Sequence, residues 1–556
     1  MSQEYFKRNT AAVADYVNAL KENACKSGTF DSASAQDFVS QTINQDTGVK
    51  VPEELQMVYD DAGKKSPQIV KAILDGLNSY KYEHGVDAPA DVVEQAIHAA
   101  YSTTPMAGEK YHSFDSALAT ASSNHAANLS LQPNRAVVAI LTTLTEAIPF
   151  AHYLPADIAS NEARLAILSH VAGSTYGGYN QNDLLDGVAS GEPYISSSRV
   201  HTANPQASTG KVDGKLTQKQ TDGDHCDQEG TAVKLLRGRT IVYINGRIAA
   251  KEVDSTGSGT STVSGKINIS GVDYAIGGTI NTDTGEFNLT TTPALPTTVP
   301  VVVEGFIDYE RDPSITPSVI SAVETFSLFA KPWRAITRQT IDSRTQMSNE
   351  LGLDPYSESV IAIQAQFANE RHYDVLRKGL RLAQNNTATF DYAAAREHQD
   401  SSRAEVWRDL AYQLGLVSQK MAEDTMNHGV THLYVTKTVA AQFLGMSPQY
   451  FQASGIAPRP GIYRLGRLFG QYDVYYTPKI LKDTPQAAQI LCVGRATDVT
   501  RNPIVLGDAV APTVMPLAVG NDLRQGAGFY ARNFTSVNPH DPSARGFALI
   551  DVTNMQ

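Results

Sequence analysis

A long run without helix-breaking residues most constrains how this chain can fold. Asp354 and Pro355 form a typical helix start, and the segment after them has no breaker before Gly379. At 1.5 Å per residue, about 25 residues predict a helix of roughly 38 Å. Its apolar positions keep helical spacing while charged residues crowd its middle. We therefore expect a helix that crosses a domain rather than one hidden inside it.

Glu370 and Arg371, in the middle of this helix, are the candidate interface residues. Together with His372 they could in principle serve catalysis. Such groups more often form an ion-pair network at a helix–helix or subunit interface. We therefore predict an interface role for Glu370 and Arg371.

The last third of the chain is predicted to be α+β. A second amphipathic helix ends at Gly429, and a strand (THLYVTK), a short helix near residues 439–444 and alternating strands follow it. The apolar positions predicted to face the core on that second helix are Val406, Leu410, Leu414, Val417 and Met421.

Residues 134–180 are predicted to form an extended hairpin. An apolar run ends in two prolines at 149–155, and a strand-like run follows before a Gly/Tyr-rich turn. Gly173, Gly177 and Gly178 lie at the expected tip and are candidate hinge residues, because glycine gives the backbone freedom there; an ordinary turn is the alternative.

Between about 205 and 315 the composition shifts to Gly, Thr, Ser and Val. Asn245-Gly246 between β-rich runs is a strong hairpin signal, and the turn at Asp283-Thr284-Gly285 repeats it. We therefore predict a small inserted β-domain at 215–312.

The first 105 residues or so are predicted to be short helices, with helix starts at Ser66-Pro67 and Pro89. Through Lys110 this region has 10 basic and 16 acidic residues, so the difference of 6 is half of the net charge of -12. Two interpretations stay open, a solvated helical subdomain and an assembly arm that packs on neighbouring subunits.

Composition excludes several functional classes. The net charge of -12 lacks the basic footprint of a dedicated nucleic-acid or anionic-membrane binder. No stretch approaches 18 uninterrupted apolar residues, and the N-terminus lacks the apolar region of a signal peptide. The three cysteines Cys25, Cys226 and Cys492 have no paired spacing, which fits a reducing cytosol.

The sequence contains only weak matches to motifs of catalytic or ligand-binding sites. The segment GTSTVSGK at 259–266 is a near miss for a phosphate loop, with five residues instead of four between its glycines. The cluster TDGDHCDQEG at 221–230 has metal-ligand residue types without a recognised geometry, and a polar linker explains it better. We expect a protein that is not an enzyme and has no catalytic residues, cofactor or metal.

The C-terminal stretch carries a family resemblance. Gly466, Leu468, Gly470, Val474 and Tyr475 match a pattern near the end of major capsid proteins of contractile-tailed bacteriophages. The helix in NELGLDPYSESVIAIQAQFANER is similar to their spine helix. Residues 130–556 thus resemble the HK97-like capsid fold, an α+β fold with N-terminal arm, E-loop, spine helix, and peripheral and axial domains.

The resemblance implies a domain plan with an inserted small β-domain and an extra helical N-terminal region. The expected parts are a helical region or arm at 1–130, the start of the peripheral domain and the E-loop at 131–214, the inserted β-domain at 215–312, the peripheral domain with the spine helix at 313–400, the axial domain at 401–485, and the return to the peripheral domain at 486–556.

The function implied by the resemblance is a major capsid protein that self-assembles as pentamers and hexamers into an icosahedral head enclosing double-stranded DNA. The implied partners are further copies of the chain, weakly and non-specifically held DNA, and portal, scaffold, protease and decoration proteins, with no membrane. The implied place is the virion, assembled in the host cytoplasm. The alternatives are a related vertex or tail component, or an enzyme with an unrecognised site.

The resemblance also bears on how such a shell would be locked. Some members of this fold cross-link subunits through an E-loop lysine and an asparagine. No lysine occurs between Lys110 and Lys211, and the cysteines lie outside the expected E-loop. We therefore expect a shell held by non-covalent contacts.

Overall fold

The computed structural model describes residues 3–23, 25–26, 29–43, 49–103, 136–158, 160–221, 223–253, 259–351, 355–397, 406–517 and 524–555. The chain divides into two compact units. The main unit is Met1–Ile167 with Glu324–Gln556, and the insertion unit is Leu168–Val323. The long strands β4 (Glu162–Ala172) and β15 (Val319–Phe329), which pair with each other, carry the chain from the main unit into the insertion unit and back.

The α-helices of the described residues all belong to the main unit, and none of them is long and apolar enough to cross a membrane. They are α1 (Gln3–Asn23), α2 (Ser32–Ile43), α3 (Glu53–Ala62), α4 (Ser66–His84), α5 (Ala90–Ser102), α6 (136–145), α7 (Ile341–Leu351), α8 (Pro355–Leu382), α9 (Tyr392–Glu397), α10 (Leu410–Thr425), α11 (Lys437–Leu444) and α12 (Asp541–Ala544).

Two larger sheets form the β part of the main unit. In one, of strand order β16-β24-β23-β3, the neighbours pair antiparallel except β23 with β3. The other has the order β17-β25-β22-β18-β21-β20-β19 and mixes parallel with antiparallel pairs. The strands of the main unit besides β4 and β15 are β1 (Cys25–Lys26), β2 (Thr29–Phe30), β3 (His152–Tyr153), β16 (Lys331–Thr340), β17 (Thr387–Asp391), β18 (Val430–Val435), β19 (Phe451–Ala453), β20 (Tyr463–Leu468), β21 (Tyr472–Tyr476), β22 (Ala488–Gly494), β23 (Ile504–Leu517), β24 (Arg524–Val537) and β25 (Phe547–Thr553).

The N-terminal helices share one hydrophobic core with these sheets. That core joins Tyr16, Leu55 and Ile73 of the helices to Tyr434 and Leu549 of the seven-stranded sheet. Burial of this apolar surface stabilises helices and sheets together. Over its described residues the region packs on the chain's own core rather than forming a separate solvated subdomain. Its packing on neighbouring subunits stays a prediction.

The insertion unit is built on a sheet of strand order β5-β14-β9-β10-β11-β12-β13-β6, with a short β7-β8 pair beside it. Its own core includes Val242, Ile244, Ile280, Leu289 and Val303. The strands are β5 (Ser198–Ala203), β6 (Lys211–Lys215), β7 (Gln220–Thr221), β8 (His225–Cys226), β9 (Ile241–Ile244), β10 (Arg247–Glu252), β11 (Thr260–Ile269), β12 (Val272–Asn281), β13 (Glu286–Thr292) and β14 (Val301–Phe306).

Several local predictions are confirmed. The long helix runs over 28 residues. Asn245 and Gly246, with φ of 49° and 69°, form the predicted turn between β9 and β10. The predicted core positions of the second amphipathic helix are all buried, although the helix itself begins at Leu410 and ends at Thr425, before a left-handed Met426. Glycine is thus not the residue that ends it.

The prediction of a hairpin beginning at residue 134 is wrong. Residues 136–145 are helical, and Ala136, Ile140 and Leu144 lie buried at helical spacing. A short apolar run fits a strand or a helix equally well by pattern, and here packing selects the helix. The strand that pairs with β4 is β15, which lies beyond the insertion.

The insertion extends beyond the expected 215–312. Strands β5 and β6 begin before residue 215 and pair with β14 and β13 of the same sheet. Because Ser/Gly/Thr-rich turns separate these strands, the sequence does not show that β5 and β6 belong to the same sheet. Asp222 of the polar cluster at 221–230 and Asp354 before the long helix lie outside the described residues.

Candidate assembly surface

The long helix α8 lies against the four-stranded sheet through aromatic residues. Phe367 is buried, and its ring centre lies 5.2 Å from that of Trp333 on β16 and 5.3 Å from that of Phe529 on β24. Further along the helix, Val375 enters the main core, whereas Ile361 near its start is 59% exposed. The helix thus has a packed face and an apolar position open to solvent.

Arg371 points inward from this helix to Asp508 on β23. Its Nη2 atom lies 3.0 Å from the Oδ1 atom of Asp508, and the two side chains are 13% and 4% exposed. Burial lowers the pKa of Arg371, but Asp508, Tyr153 and Glu146 outweigh it and leave the pKa raised. The guanidinium is therefore a permanent charge whose closest partner is in the same chain.

Glu370 is exposed, one position along the helix from Arg371. It lines a shallow groove with Trp333 and Ile363. Adjacent helix positions point about 100° apart, so the two predicted interface residues face different surroundings. Glu370 is available to a neighbouring molecule, whereas Arg371 serves the chain's own packing. Their role in an interface remains a prediction.

Helix α5 supplies polar contacts that the sequence did not indicate. The Oδ2 atom of buried Asp91 accepts from the backbone N–H of Tyr153 at 3.0 Å and lies 3.1 Å from Nδ1 of His152. The side chain of Gln95 accepts from the backbone N–H of Asp508 at 3.4 Å. These contacts attach the N-terminal helices to the edge of the four-stranded sheet, because that edge would otherwise leave backbone donors unpaired.

Three histidines lie in the polar part of the main core. Nδ1 of His84 lies 3.0 Å from the hydroxyl of Tyr475, and Nε2 of His372 lies 3.2 Å from that of Tyr434. Burial lowers the pKa of His84 to about 3 and the pKa values of His372 and His432 to about 4. All three are neutral at pH 7 and act as packing groups.

The three candidate hinge glycines lie where the chain enters the insertion unit. The predicted turn is found at Gly177 and Gly178, where backbone hydrogen bonds of 2.9 and 3.1 Å join Tyr176 to Tyr179 and the chain turns back on itself. Gly177 has a φ of 56°, and a Cβ atom on it would lie 1.7 Å from the carbonyl oxygen of Pro193. A Cβ atom on Gly173 would lie 2.3 Å from Oγ of Ser318, and one on Gly178 would lie 2.7 Å from Cβ of Glu192. The close approach of neighbouring atoms explains why these positions are glycine. Their role as hinges stays a prediction.

Strand β15 exposes apolar side chains along much of its length. Of its eleven residues only Leu328 is buried. The exposed fractions of its apolar side chains are 54% for Val319, 47% for Ile320, 52% for Val323 and 61% for Phe329. Monomeric proteins rarely expose apolar side chains along a whole strand, so this strand is a candidate contact for another molecule.

Within the described parts of the chain, no group of three or more His, Cys, Asp or Glu side chains is placed to hold a metal ion. Cys226 and Cys492 are buried free thiols, and burial raises the pKa of each. Raised thiol pKa values disfavour the reactive thiolate.

No family model matches the chain, and no curated protein matches it. Among solved structures it is similar to the capsid of Myoviridae phage XM1, at 10% identity over 59% of this chain and 90% of that one, with a TM-score of 0.27. It is also similar to the capsid of Ralstonia phage GP4, at 10% identity over 43% and 77% of the two chains, with a TM-score of 0.28. A third is the SrpI encapsulin of Synechococcus elongatus PCC 7942, at 10% identity over 44% and 80%, with a TM-score of 0.27.

Proposed function

We propose that this chain is a major capsid protein of a tailed bacteriophage, a structural subunit with the HK97-like fold and no catalytic role. It self-assembles as pentamers and hexamers into an icosahedral shell that encloses double-stranded DNA. The sequence resemblance after residue 315 suggests this function. The exposed apolar strand β15 is the observation that carries it.

An exposed strand of this kind needs a partner. Val319, Ile320, Val323 and Phe329 would remain in water in a monomer. Specific protein interfaces bury roughly 1,200–2,000 Å² in total, with an apolar centre and a polar rim. A second copy of the chain placed on β15 supplies such a centre, and repetition of one contact around a closed shell covers every copy.

The arrangement of elements also supports the proposal. Under this proposal, the paired strands β4 and β15 are the E-loop, α8 is the spine helix, and the four-stranded sheet is the peripheral domain. The seven-stranded sheet with α10 and α11 is the axial domain. The insertion unit then lies within the E-loop, and the helices α1–α5 are an addition that packs on the subunit's own body.

Charge suits a container for DNA. With a net charge of -12, the chain offers little counterion release to the phosphate backbone. We infer weak, sequence-independent contact with the packaged genome. Neither β4 nor β15, the paired strands of the proposed E-loop, contains a lysine, although the insertion between them does from Lys211 onward. We infer that those lysines form no cross-link and that the shell is held together by non-covalent contacts.

The test compares the mass of particles formed by purified wild-type chain and by two variants, using light scattering coupled to size exclusion. Phe329→Asp places a charge on β15, and Tyr82→Asp places one on an aromatic side chain of similar exposure, 66%, on α4. We expect the wild type and Tyr82→Asp to form capsomers or shells, and Phe329→Asp to stay small.

Two results would overturn the proposal. One is a wild-type chain that remains monomeric at every concentration. The other is Phe329→Asp assembling as fully as Tyr82→Asp. Tubes or fibres in place of closed particles would instead support a tail or vertex component.

A further inference from the structure

The insertion unit carries an open groove of about 510 Å³ on one face of its sheet. Small-molecule sites commonly measure roughly 300–1,000 Å³. Its floor is formed by β5, β14 and β9, where Glu304 is opposite Val200 and Val302 is opposite Tyr243. Opposed residues of neighbouring strands share a face of the sheet. The alternate residue Val303 is buried in the core, so the groove faces solvent.

Glu304, which lines the groove, is held in place by two hydrogen bonds. Its Oε1 atom accepts from the hydroxyl of Ser198 at 2.9 Å, and its Oε2 atom accepts from the hydroxyl of Tyr243 at 2.8 Å. Each carboxylate oxygen keeps a further lone pair for an incoming donor. The same hydrogen bond fixes the tyrosine ring, which is half-buried, so both groups are organised before any ligand arrives.

The walls of the groove supply additional polar and apolar groups. On one side is the tight turn at Asn245 and Gly246. On another is the segment Thr298–Pro300. Asp224 forms a third wall, and its backbone carbonyl accepts from the N–H of Thr202 at 2.7 Å, which attaches this loop to β5.

We propose that this groove binds a neutral saccharide. A sugar ring presents C–H groups that pack on a tyrosine ring and on valine and proline side chains, and hydroxyls that donate to a carboxylate or an amide. Tyr243, Val302, Pro300, Glu304 and Asn245 provide these groups. The carboxylates of Glu304 and Asp224 repel phosphates and acidic sugars, so the ligand is not an anion. The proposal does not depend on shell formation.

Saturation-transfer NMR on the full-length chain tests the proposal. The probes are methyl α-D-mannopyranoside, methyl β-D-glucopyranoside, methyl β-D-galactopyranoside, N-acetyl-D-glucosamine and, as an acidic sugar, D-glucuronate. We expect transfer to at least one neutral probe and weaker transfer to D-glucuronate. Glu304→Gln should weaken the binding about tenfold, because it removes a charge-assisted acceptor.

The matched control is Glu286→Gln, which neutralises an exposed carboxylate on β13 of the same sheet. It should bind as the wild type does, and thermal unfolding establishes that both variants are folded. The proposal is overturned by an absence of transfer to every neutral probe, by stronger transfer to D-glucuronate, or by equal binding to the Glu304→Gln and Glu286→Gln variants.

Discussion

The backbone N–H of Gly173 donates to the carbonyl oxygen of Ser318 at 2.7 Å, so the insertion unit begins and ends at one place. The hydroxyl of Ser169 and the carbonyl oxygen of Ala322 also meet, at 3.5 Å. Strands β4 and β15 therefore lie side by side where the chain enters and leaves the insertion. A segment with adjoining ends can be exchanged for a turn without moving its flanks.

Replacing residues 174–317 by a short Gly-Ser linker should leave a soluble, folded main unit, because its cores contain no residue of that segment. Replacing only 215–312 should give an insoluble chain, since β5 and β6 then lose β14 and β13. Soluble yield and circular dichroism of the two deletions measure this. Equal behaviour of the two deletions would contradict the boundary at 168–323.

Arg371→Met should destabilise the main unit by about 3–5 kcal/mol, because it leaves the buried carboxylate of Asp508 without its cation. The double variant Arg371→Met/Asp508→Leu should recover much of this loss. Urea unfolding measures both. The control is Arg164→Met, which removes a cation that is 70% exposed beside Glu162 and should lower the stability far less, because water screens this pair. A loss in Arg371→Met no larger than in this control would rule out a structural role for the buried pair.

Gly177→Ala should destabilise the insertion unit by about 2–4 kcal/mol, the sum of left-handed strain and a collision with the carbonyl oxygen of Pro193. Gly271→Ala is the matched control, because Gly271 has a φ of 85° and open space around its Cβ position. Gly271→Ala should lower the free energy of unfolding by the left-handed backbone strain alone, about 1 kcal/mol. Thermal unfolding compares the two, and equal losses would show that close approach is not what requires Gly177.

Acid should destabilise the main unit through its buried histidines. The pKa of histidine is about 6.5 in the unfolded chain and is lowered in the folded protein. As the pH falls below about 6.5, the unfolded chain therefore takes up a proton that the folded protein does not, and the free energy of unfolding decreases. For His432, with a folded pKa of about 4, the slope approaches about 1.4 kcal/mol per pH unit until the pH reaches that value.

The measurement is urea unfolding at pH 7 and pH 5 for the wild type and for His432→Gln. The variant should lose less stability over this interval than the wild type does. His225→Gln, which changes an exposed histidine of β8, serves as the control. An unchanged pH dependence in His432→Gln would show that this histidine does not resist protonation in the folded state.

Local features of this fold could be predicted from the sequence, whereas its long-range pairings could not. Two features could be predicted because they depend only on residues close together in the sequence. They are the turn at Asn245-Gly246 and the helical spacing of the apolar residues from Leu410 to Met421. The sequence does not predict the helix at 136–145, because a short apolar run fits a strand or a helix until its packing is known.

The same difference in range applies to the candidate sites. Glu370 and Arg371 stand out as charges on a long helix, but the sequence does not indicate that Arg371 turns toward Asp508. Nor does it show Asp91 beside His152 or Glu304 beside Tyr243, because each pair joins residues far apart in the chain. Such groups come together only when the chain folds and its strands pair in their native register.

The most direct test of the central proposal is a cryo-electron microscopy map of particles assembled from the purified full-length chain. The account predicts closed icosahedral shells of pentamers and hexamers, in which Val323 and Phe329 of β15 are covered by a neighbouring copy. A chain that forms no particles, or particles in which β15 remains open to solvent on every copy, would contradict it.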